Sequence, residues 1–390
     1  MTKFDRFASI RASKKTLQQP TNTQANTTAT ANANNADVDA KYCTLAQLGW
    51  NQQLQVQLAQ MSTEQNRRSE DSVYARVVAH HRQHYQLLSP QGEHKLMLHP
   101  QLPVMTVGDW VMLDKQQRFV HLFERQSLFS RKAPGSKIEQ QLIAANLDWV
   151  FIVSSLNQDF NLNRIERYLA LVNEAGVTPV LVLTKQDLCD DVQSYIEQLR
   201  RLDSQLLIET VNGLDVDSVA VLSSYAAKGK TVALIGSSGV GKSTLVNSLV
   251  LQPQQQTAGI REDDAKGRHT TTGRSLHFTQ AGGLLIDTPG MRELQLADCE
   301  DGVQNTFADV MSLAQQCRFG DCTHQTEPGC AVQQAISCGE LDSRRLVSYQ
   351  KLLREQALNG ASIAQKRAHG KSLSKMYRRV QDDARQHKRG

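Results

Sequence analysis

The sequence predicts a multidomain protein: a small β-barrel, an α/β domain built on a mostly parallel sheet, and a short, mostly helical domain held by a metal. Three patterns in the 390 residues indicate this arrangement. Five short, strand-like apolar runs separated by turn residues lie between residues 72 and 124. From residue 147, apolar runs alternate with a helical pattern, as in sheets with crossover helices. Three cysteines and a histidine then fall within fourteen residues near the C-terminus.

The composition argues against membrane-spanning and disulfide-rich classes. Apolar residues make up 40% of the chain, and no run approaches the roughly 18 apolar residues that cross a bilayer. The basic N-terminus lacks the apolar stretch of a secretory signal. The cysteine number is odd, seven in all, which favours metal binding over disulfides. We therefore expect a cytoplasmic protein that does not engage a membrane.

The net charge of +5 is concentrated in two tails. Residues 1–15 carry five basic side chains and one acidic one, and residues 364–390 carry nine and two, so the rest of the chain is mildly acidic. Basic tails on an acidic body suggest a polyanionic partner. The alternative is that the tails only keep the protein soluble.

The first folded domain is predicted at residues 41–128, after a disordered basic tail at residues 1–40 that is rich in Asn, Thr, Ala and Gln. Its five strands favour an OB-fold with an N-terminal lead-in, a fold that often binds RNA. The predicted strands are 73–78, 84–88, 95–98, 109–113 and 119–123. Five aromatic and basic side chains of this segment could contact nucleic acid or could equally be core: Tyr74, Tyr85, Trp110, Arg76 and Arg82.

The second domain is predicted at residues 129–298 as an α/β domain. Apolar, β-branched runs typical of strands buried on both faces occur at 150–156, 179–184, 206–210, 231–235 and 284–286. Apolar residues at helical spacing over 163–175 predict a helix that stops at Gly176.

A phosphate loop follows the strand at 231–235. The run Gly236-Ser-Ser-Gly-Val-Gly-Lys242-Ser243 leads into a helix, and a chance glycine-rich turn would lack that strand and helix. Backbone N–H groups of the loop would cradle phosphates, Lys242 would reach the β- and γ-phosphates, and Ser243 would bind Mg²⁺. The expected contacts are Gly236, Ser237, Ser238, Gly239, Val240, Gly241, Lys242, Ser243 and Thr244.

A guanine-reading motif is predicted at Thr184-Lys185-Gln186-Asp187, at the end of a buried strand. The Asp187 carboxylate can accept from guanine N1–H and N2–H₂, which adenine cannot match. Lys185 would lie over the base. The usual first residue is Asn, so Thr184 leaves one polar contact near the base in question. GTP is favoured over ATP.

Two switch segments are predicted after the phosphate loop. Asp287-Thr-Pro-Gly290 ends an apolar strand, so Asp287 would hold a water on Mg²⁺ and Gly290 would donate its N–H to the γ-phosphate. Thr271, or else Thr270, would complete the Mg²⁺ shell; an ordinary β-turn is the alternative. His269 is the candidate for orienting water, although it could simply be solvated.

The order of these motifs is permuted. An ordinary GTPase has its phosphate loop first and its guanine motif last, whereas here residues 184–187 precede residues 236–243. The same sheet would be assembled with the chain cut at another place.

The third domain is predicted at residues 299–355, followed by a basic tail at 356–390. Three thiols and an imidazole match a closed, four-coordinate structural Zn²⁺ site without a position for water. The alternative is a set of buried free cysteines, and Cys338 is a spare ligand. The predicted ligands are Cys317, Cys322, His324 and Cys330.

The combined motifs resemble the RsgA (YjeQ) family of GTPases over residues 40–360. The resemblance is carried by Arg131-Lys132, 145–148, Thr184–Asp187, the permuted phosphate loop, 268–272, 287–291 and the cysteine–histidine set. It implies a monomer that binds the 30S ribosomal subunit through 16S rRNA. It also implies slow GTP hydrolysis stimulated by that subunit, late in its maturation, with release of the assembly factor RbfA.

The sequence leaves two alternative functions to consider. A stand-alone metabolic NTPase would have no need of an RNA-binding barrel and basic tails. A structural RNA-binding protein with an inactive nucleotide site would be expected to have a broken phosphate loop, whereas Lys242 and Ser243 are both present.

Overall fold

The computed structural model describes residues 43–61, 72–132, 140–250, 274–287 and 299–360. The predicted tail at 1–40 and the last thirty residues lie outside these ranges. None of the helices within them has the length and apolarity to cross a membrane.

The N-terminal part is a lead-in helix followed by the five predicted strands. Helix α1 (Gln52–Gln60) precedes β1 (Val73–His80), β2 (His84–Ser89), β3 (Gly92–Met97), β4 (Trp110–Leu113) and β5 (Phe119–Leu122). Strand β1 is central: its first half pairs with β4 and its second half with β2, both antiparallel, with an irregularity between Val77 and Ala79. The strand order is β5-β4-β1-β2-β3, and the bend in the central strand gives this small sheet the curvature that the predicted barrel requires.

The aromatic and basic side chains that the sequence offered for nucleic-acid contact are mostly core. Tyr85, Trp110 and Arg76 are at most 3% exposed, and Tyr74 packs against Trp50. Only Arg82 of that set is exposed. Of the two alternatives, the core one therefore holds for Tyr85, Trp110 and Arg76, because such large side chains supply the area that a small barrel needs to bury. A nucleic-acid contact stays a prediction for Arg82.

The α/β domain contains the predicted parallel sheet and one hairpin that the sequence reading missed. The strands are β6 (Leu128–Lys132), β7 (Gln140–Ala145), β8 (Trp149–Ser155), β9 (Thr178–Thr184), β10 (Leu207–Val211), β11 (Thr231–Ile235), β12 (Arg274–Phe278) and β13 (Leu284–Asp287). The order β10-β9-β8-β11-β13 is parallel throughout, and β12 joins β13 antiparallel. Strands β6 and β7 form a separate antiparallel pair.

Helices cover both faces of this sheet. They are α2 (Leu162–Glu174), α3 (Val192–Arg200), α4 (Val216–Val219) and α5 (Lys242–Leu249). The predicted helix at 163–175 is confirmed as α2, which begins at the Asn161 cap. The strands bury both faces, in two apolar clusters on opposite sides of the sheet. That burial explains why they read as continuous apolar runs.

The barrel and the sheet are hydrogen-bonded to each other. Strand β12 pairs antiparallel with β1 as well as with β13, through Ala79 opposite Ser275 and His80 opposite Arg274. The two domains therefore share one continuous sheet, which limits how far the barrel can move relative to the α/β domain.

A buried arginine lies where the barrel, the lead-in and the sheet meet. The Arg76 guanidinium donates to the carbonyls of Gly108 (3.2 Å), Leu48 (2.6 Å) and Asn146 (2.9 Å) and to the hydroxyl of Thr231 (2.8 Å). Thr231 is the first residue of the strand that leads into the phosphate loop. One side chain thus connects four separate segments.

Arg76 remains a cation in spite of its burial. Loss of hydration lowers the pKa of its guanidinium to about 10, while the charges of Asp148 and Asp109 oppose the fall. The guanidinium also lies over the Trp110 ring, 5.6 Å from its centroid. A charge at this depth is tolerable because each of the three guanidinium nitrogens donates to an acceptor.

The C-terminal part is mostly helical, as predicted, and it packs against α2. Its helices are α6 (Glu300–Thr306), α7 (Ala308–Ala314), α8 (Ala331–Ser337) and α9 (Ser343–Gly360). Glu166 on α2 is fully buried and accepts from Arg345 and Arg344 of α9, each at 2.9 Å. Arg345 also pairs with Asp309 of α7 at 2.5 Å. Buried ion pairs therefore fix the position of α9 on α2.

We predict that Arg76→Met lowers the free energy of unfolding by about 3 kcal/mol or more, because three buried carbonyls lose their donor at about 1–3 kcal/mol each. Urea unfolding followed by tryptophan fluorescence measures this. Arg118→Met removes an arginine that is 74% exposed and paired with Asp114, and it should cost less than about 1 kcal/mol. Equal losses in both variants would contradict the role given to Arg76.

Candidate nucleotide and metal sites

The phosphate loop runs from β11 to α5 as the sequence predicts, and its backbone requires glycine. At Gly236, φ is +149°, and an added Cβ would lie 2.3 Å from the carbonyl oxygen of Val153 in β8. At Gly241, φ is +95°, where the chain turns into α5. Among the described residues, no side chain caps the N-terminus of α5. The first N–H groups of this helix are therefore directed at the place where phosphates would bind.

Lys242 lies across the loop that it follows. Its ammonium group donates to the carbonyls of Gly236 (2.8 Å) and Ser237, and the residue is 8% exposed. The loop therefore holds the lysine by its own backbone, beside the predicted phosphate position.

Three of the predicted phosphate and magnesium residues line one cavity. Lys242, Ser243 and Asp287 border a space of about 130 Å³ between α5 and β13. The hydroxyl of Ser243 and the carboxylate of Asp287 are oxygen ligands of the kind Mg²⁺ uses, one direct and one through water. The residues present fit a hydrated magnesium ion.

The guanine motif is joined to the phosphate loop by the residue that departs from the usual pattern. Thr184 is 2% exposed, and its hydroxyl donates to the carbonyl of Val240 at 2.6 Å. The threonine therefore supplies a donor that links the two loops, in place of an asparagine amide. Lys185 follows in the left-handed region, with φ of +61°, and Asp187 lies exposed in a short 3₁₀ turn at Gln186–Leu188.

A second loop beside the guanine motif was missed in the sequence. Val211 at the end of β10 lies opposite Thr184 in the parallel register, so the following Asn212-Gly213 turn flanks the motif. A Cβ added at Gly213 would lie 3.6 Å from Thr244, which shows how closely this turn passes the start of α5. The Asn-Gly pair directly after an apolar strand is the sequence signal that could have predicted this loop.

Two further residues at the phosphate loop were also missed. Asp159 and Arg164, from the loop before α2 and its first turn, both hydrogen-bond the hydroxyl of Ser237. No sequence spacing connects them to the loop.

The remaining predicted switch residues lie outside the described residues. These are Thr270, Thr271, His269 and Gly290. Their roles stay predictions.

The four predicted metal ligands come together. The ligand atoms of Cys317, Cys322, His324 and Cys330 all lie within 4.8 Å of one another. Cys338 is exposed and lies outside this group. His324 has a left-handed backbone, with φ of +59°, and its carbonyl accepts from the Gln333 side chain at 2.6 Å. This bond fixes the backbone of His324 beside the other three residues.

The spacing of these atoms fits a tetrahedral metal. With zinc–sulfur and zinc–nitrogen bonds of about 2.3 and 2.0–2.1 Å, two sulfurs would lie about 3.8 Å apart and a sulfur and a nitrogen about 3.6 Å apart. Cys317 Sγ lies 3.8 Å from Cys330 Sγ, and His324 Nδ1 lies 3.6 and 3.5 Å from the two sulfurs. The geometry and the soft donor set fit a closed, structural metal site.

Comparison with known proteins gives relatives over most of the chain. The family model described as RsgA GTPase matches residues 122–297. The "Small ribosomal subunit biogenesis GTPase RsgA 2" of Vibrio parahaemolyticus is 60% identical over 341 residues, 87% of this chain and 94% of that protein. The "Small ribosomal subunit biogenesis GTPase RsgA" of Mesorhizobium japonicum is 45% identical over 328 residues, with coverage of 83% and 92%.

Solved structures support the fold. YjeQ from Thermotoga maritima matches with a TM-score of 0.55 and 24% identity over 73% of this chain and 98% of that one. YloQ, described as a circularly permuted GTPase, matches with a TM-score of 0.53 at the same identity, over 73% and 94%. Because the RsgA relatives are so similar over nearly their whole length, this chain belongs to the RsgA family of circularly permuted GTPases.

Proposed function

We propose that the chain binds GTP with Mg²⁺ at residues 236–244 and 184–187 and hydrolyses it to GDP and phosphate. The observation that carries this assignment is the cavity shared by Lys242, Ser243 and Asp287. The Thr184–Val240 hydrogen bond supports it, because it joins the base-reading segment to the phosphate-binding one.

Each residue has a distinct role in this proposal. The loop N–H groups and Lys242 offset the charge that develops on the phosphates, and such contacts strengthen in the transition state. Ser243 and the predicted Thr271 would hold Mg²⁺, and Asp287 would orient a water on it. Such an ion would supply positive charge that offsets the negative charge of the phosphates. His269 is proposed to orient the attacking water and Gly290 to contact the γ-phosphate.

We further propose that this GTPase acts in maturation of the small ribosomal subunit. The relatives that are 60% and 45% identical carry that function in their names. The basic tails fit a 16S rRNA partner. The family resemblance adds stimulation of hydrolysis by the 30S subunit, release of RbfA and a monomeric state. Work on ribosome assembly would keep the protein in the cytoplasm.

The proposed domain limits follow the sequence. They are an OB-fold at 41–128, the GTPase domain at 129–298 and a zinc domain at 299–355, flanked by tails at 1–40 and 356–390. Zinc is the proposed metal, bound by Cys317, Cys322, His324 and Cys330, and its role is to hold together the segment between α7 and α8.

Asp187→Asn should shift nucleotide preference from GTP toward xanthosine triphosphate, because an amide can donate to the xanthine oxygen but cannot accept both guanine protons. Competition binding with GTP, xanthosine triphosphate and ATP measures this. Asp190→Asn, three residues along in the same exposed segment, is the matched control. Wild-type protein that bound ATP as tightly as GTP would contradict the guanine assignment.

Elemental analysis should find one equivalent of zinc per chain. Chelation or Cys322→Ser should make residues 299–355 sensitive to protease while nucleotide binding persists, because the metal supplies about 10 kcal/mol or more of folding free energy in such sites. Cys338→Ser, outside the cluster, is the control. A metal-free chain with an unchanged proteolysis pattern would contradict the assignment.

Affinity for purified 30S subunits should fall steeply with salt, since lysine and arginine contacts to phosphates release counterions. The protein should bind the 30S subunit more tightly when it holds a non-hydrolysable GTP analogue than when it holds GDP. By linkage, the subunit should raise the affinity of the protein for the analogue, relative to GDP, by the same factor. Deletion of residues 364–390 should flatten the salt dependence and leave intrinsic GTPase activity unchanged.

Sedimentation with 30S subunits at several salt concentrations, in each nucleotide state, measures these effects. GTP turnover with and without subunits separates a ribosome-coupled enzyme from a stand-alone NTPase. Association with 30S subunits that depended neither on the salt concentration nor on the bound nucleotide would contradict the ribosomal role.

A further inference from the structure

The side chain of Ser237 in the phosphate loop is held by two charged residues, Asp159 and Arg164. Its hydroxyl donates to Asp159 Oδ2 at 2.7 Å and accepts from Arg164 Nη1 at 2.8 Å. The same Arg164 nitrogen donates to Asp159 Oδ1 at 2.7 Å. These three side chains, which we call the phosphate-loop ring, form a closed hydrogen-bonded triangle.

The ring rests on backbone that is itself fixed. The side chain of Asn157 accepts from the N–H of Asp159 at 3.0 Å and from the hydroxyl of Ser155, the last residue of β8, at 2.8 Å. Asn161 caps α2 by accepting from the N–H of Arg164 at 3.1 Å. Asp159 and Arg164 therefore reach Ser237 from an ordered turn and the first turn of a packed helix.

Opposite charges hold Asp159 and Arg164 together within the ring. Partial burial opposes ionisation of Asp159, but hydrogen bonds from Arg164 and Ser237 outweigh it and lower the pKa of the carboxyl. The carboxylate also feels the positive charge of Lys185 in the guanine motif. The ring thus contacts the phosphate loop and lies within electrostatic reach of the guanine motif.

Ser237 connects the ring to the phosphate-binding lysine. Lys242 donates to the carbonyls of Gly236 and Ser237, so the position of its ammonium group depends on where those carbonyls lie. These two bonds use two of the three donors of the ammonium group and set the position from which the lysine would meet a phosphate. Because Ser237 supplies one of the two carbonyls, the contacts that hold its hydroxyl also help to place the lysine.

We propose that Asp159 and Arg164 are positioning residues for GTP hydrolysis, acting through Ser237 on Lys242. The inference rests on the proposed phosphate site and deepens it. It adds two residues, distant in sequence, that hold the loop without touching nucleotide. Small misplacements of a charge that stabilises a transition state reduce the rate more than they reduce ground-state binding.

Steady-state kinetics of Arg164→Gln and Ser237→Ala tests the proposal. Each variant should lower kcat about tenfold while KM for GTP changes less than about threefold. The double variant should lose no more than the worse single one, because each change opens the same ring. Ser237→Thr, which keeps the hydroxyl, should retain most of the activity. Arg118→Gln removes an exposed pair with Asp114 in the barrel and is the matched control.

A second measurement separates positioning from general damage to the fold. Ser237→Ala should lower the single-turnover rate of GTP hydrolysis in the wild-type background and have no further effect when Lys242 is replaced by Ala, because the ring acts through that lysine. An equal effect in both backgrounds would overturn the proposal, as would wild-type kcat in Arg164→Gln and Ser237→Ala. If Lys242→Ala alone left turnover unchanged, the proposed phosphate site itself would be wrong.

Discussion

The structure depends on one buried cation. Arg76 donates to the lead-in, the barrel, the segment before β8 and the first residue of β11, so four segments that are distant in sequence meet at one guanidinium. Neutral acceptors, rather than a carboxylate, satisfy it directly. Such a group is expensive to bury, and the interior is stable only when every segment is in its place to accept. The arrangement of the domains and the position of β11, the strand that leads into the phosphate loop, therefore depend on the same side chain.

Charged side chains also connect the α/β domain with the C-terminal helices. Helix α2 has its first turn at the phosphate loop through Arg164, while Glu166 and Arg167 pair with α9 of the C-terminal part. One helix consequently contacts both the phosphate loop and the C-terminal helices. Arg164 lies two and three residues before Glu166 and Arg167, so less than one helical turn separates the contact with Ser237 from the contacts with α9.

Local patterns predicted most of the elements and the motifs but not the contacts between distant segments. The phosphate loop, Thr184–Asp187 and the metal ligands were predictable because backbone geometry or metal coordination fixes their spacing. Arg164 and Asp159 lie 73 and 78 residues from Ser237, and nothing in the sequence joins them. Arg76 was open to a surface role because an arginine in a strand is usually exposed. The β12–β1 pairing was missed because the strand edges have no sequence signature.

The buried Glu166 limits how the parts of this protein can be exchanged. Its carboxylate is 0% exposed, and both of its ionic partners, Arg344 and Arg345, belong to α9. A fragment ending before residue 299 would lose both arginines together with the helices that cover Glu166, and it would expose the apolar side chains of α2 to water. Replacing α9 by a helix without these two arginines would instead leave a buried carboxylate unpaired, at a cost of about 3–5 kcal/mol. An engineered exchange of the C-terminal helices therefore has to keep both arginines or change position 166 as well.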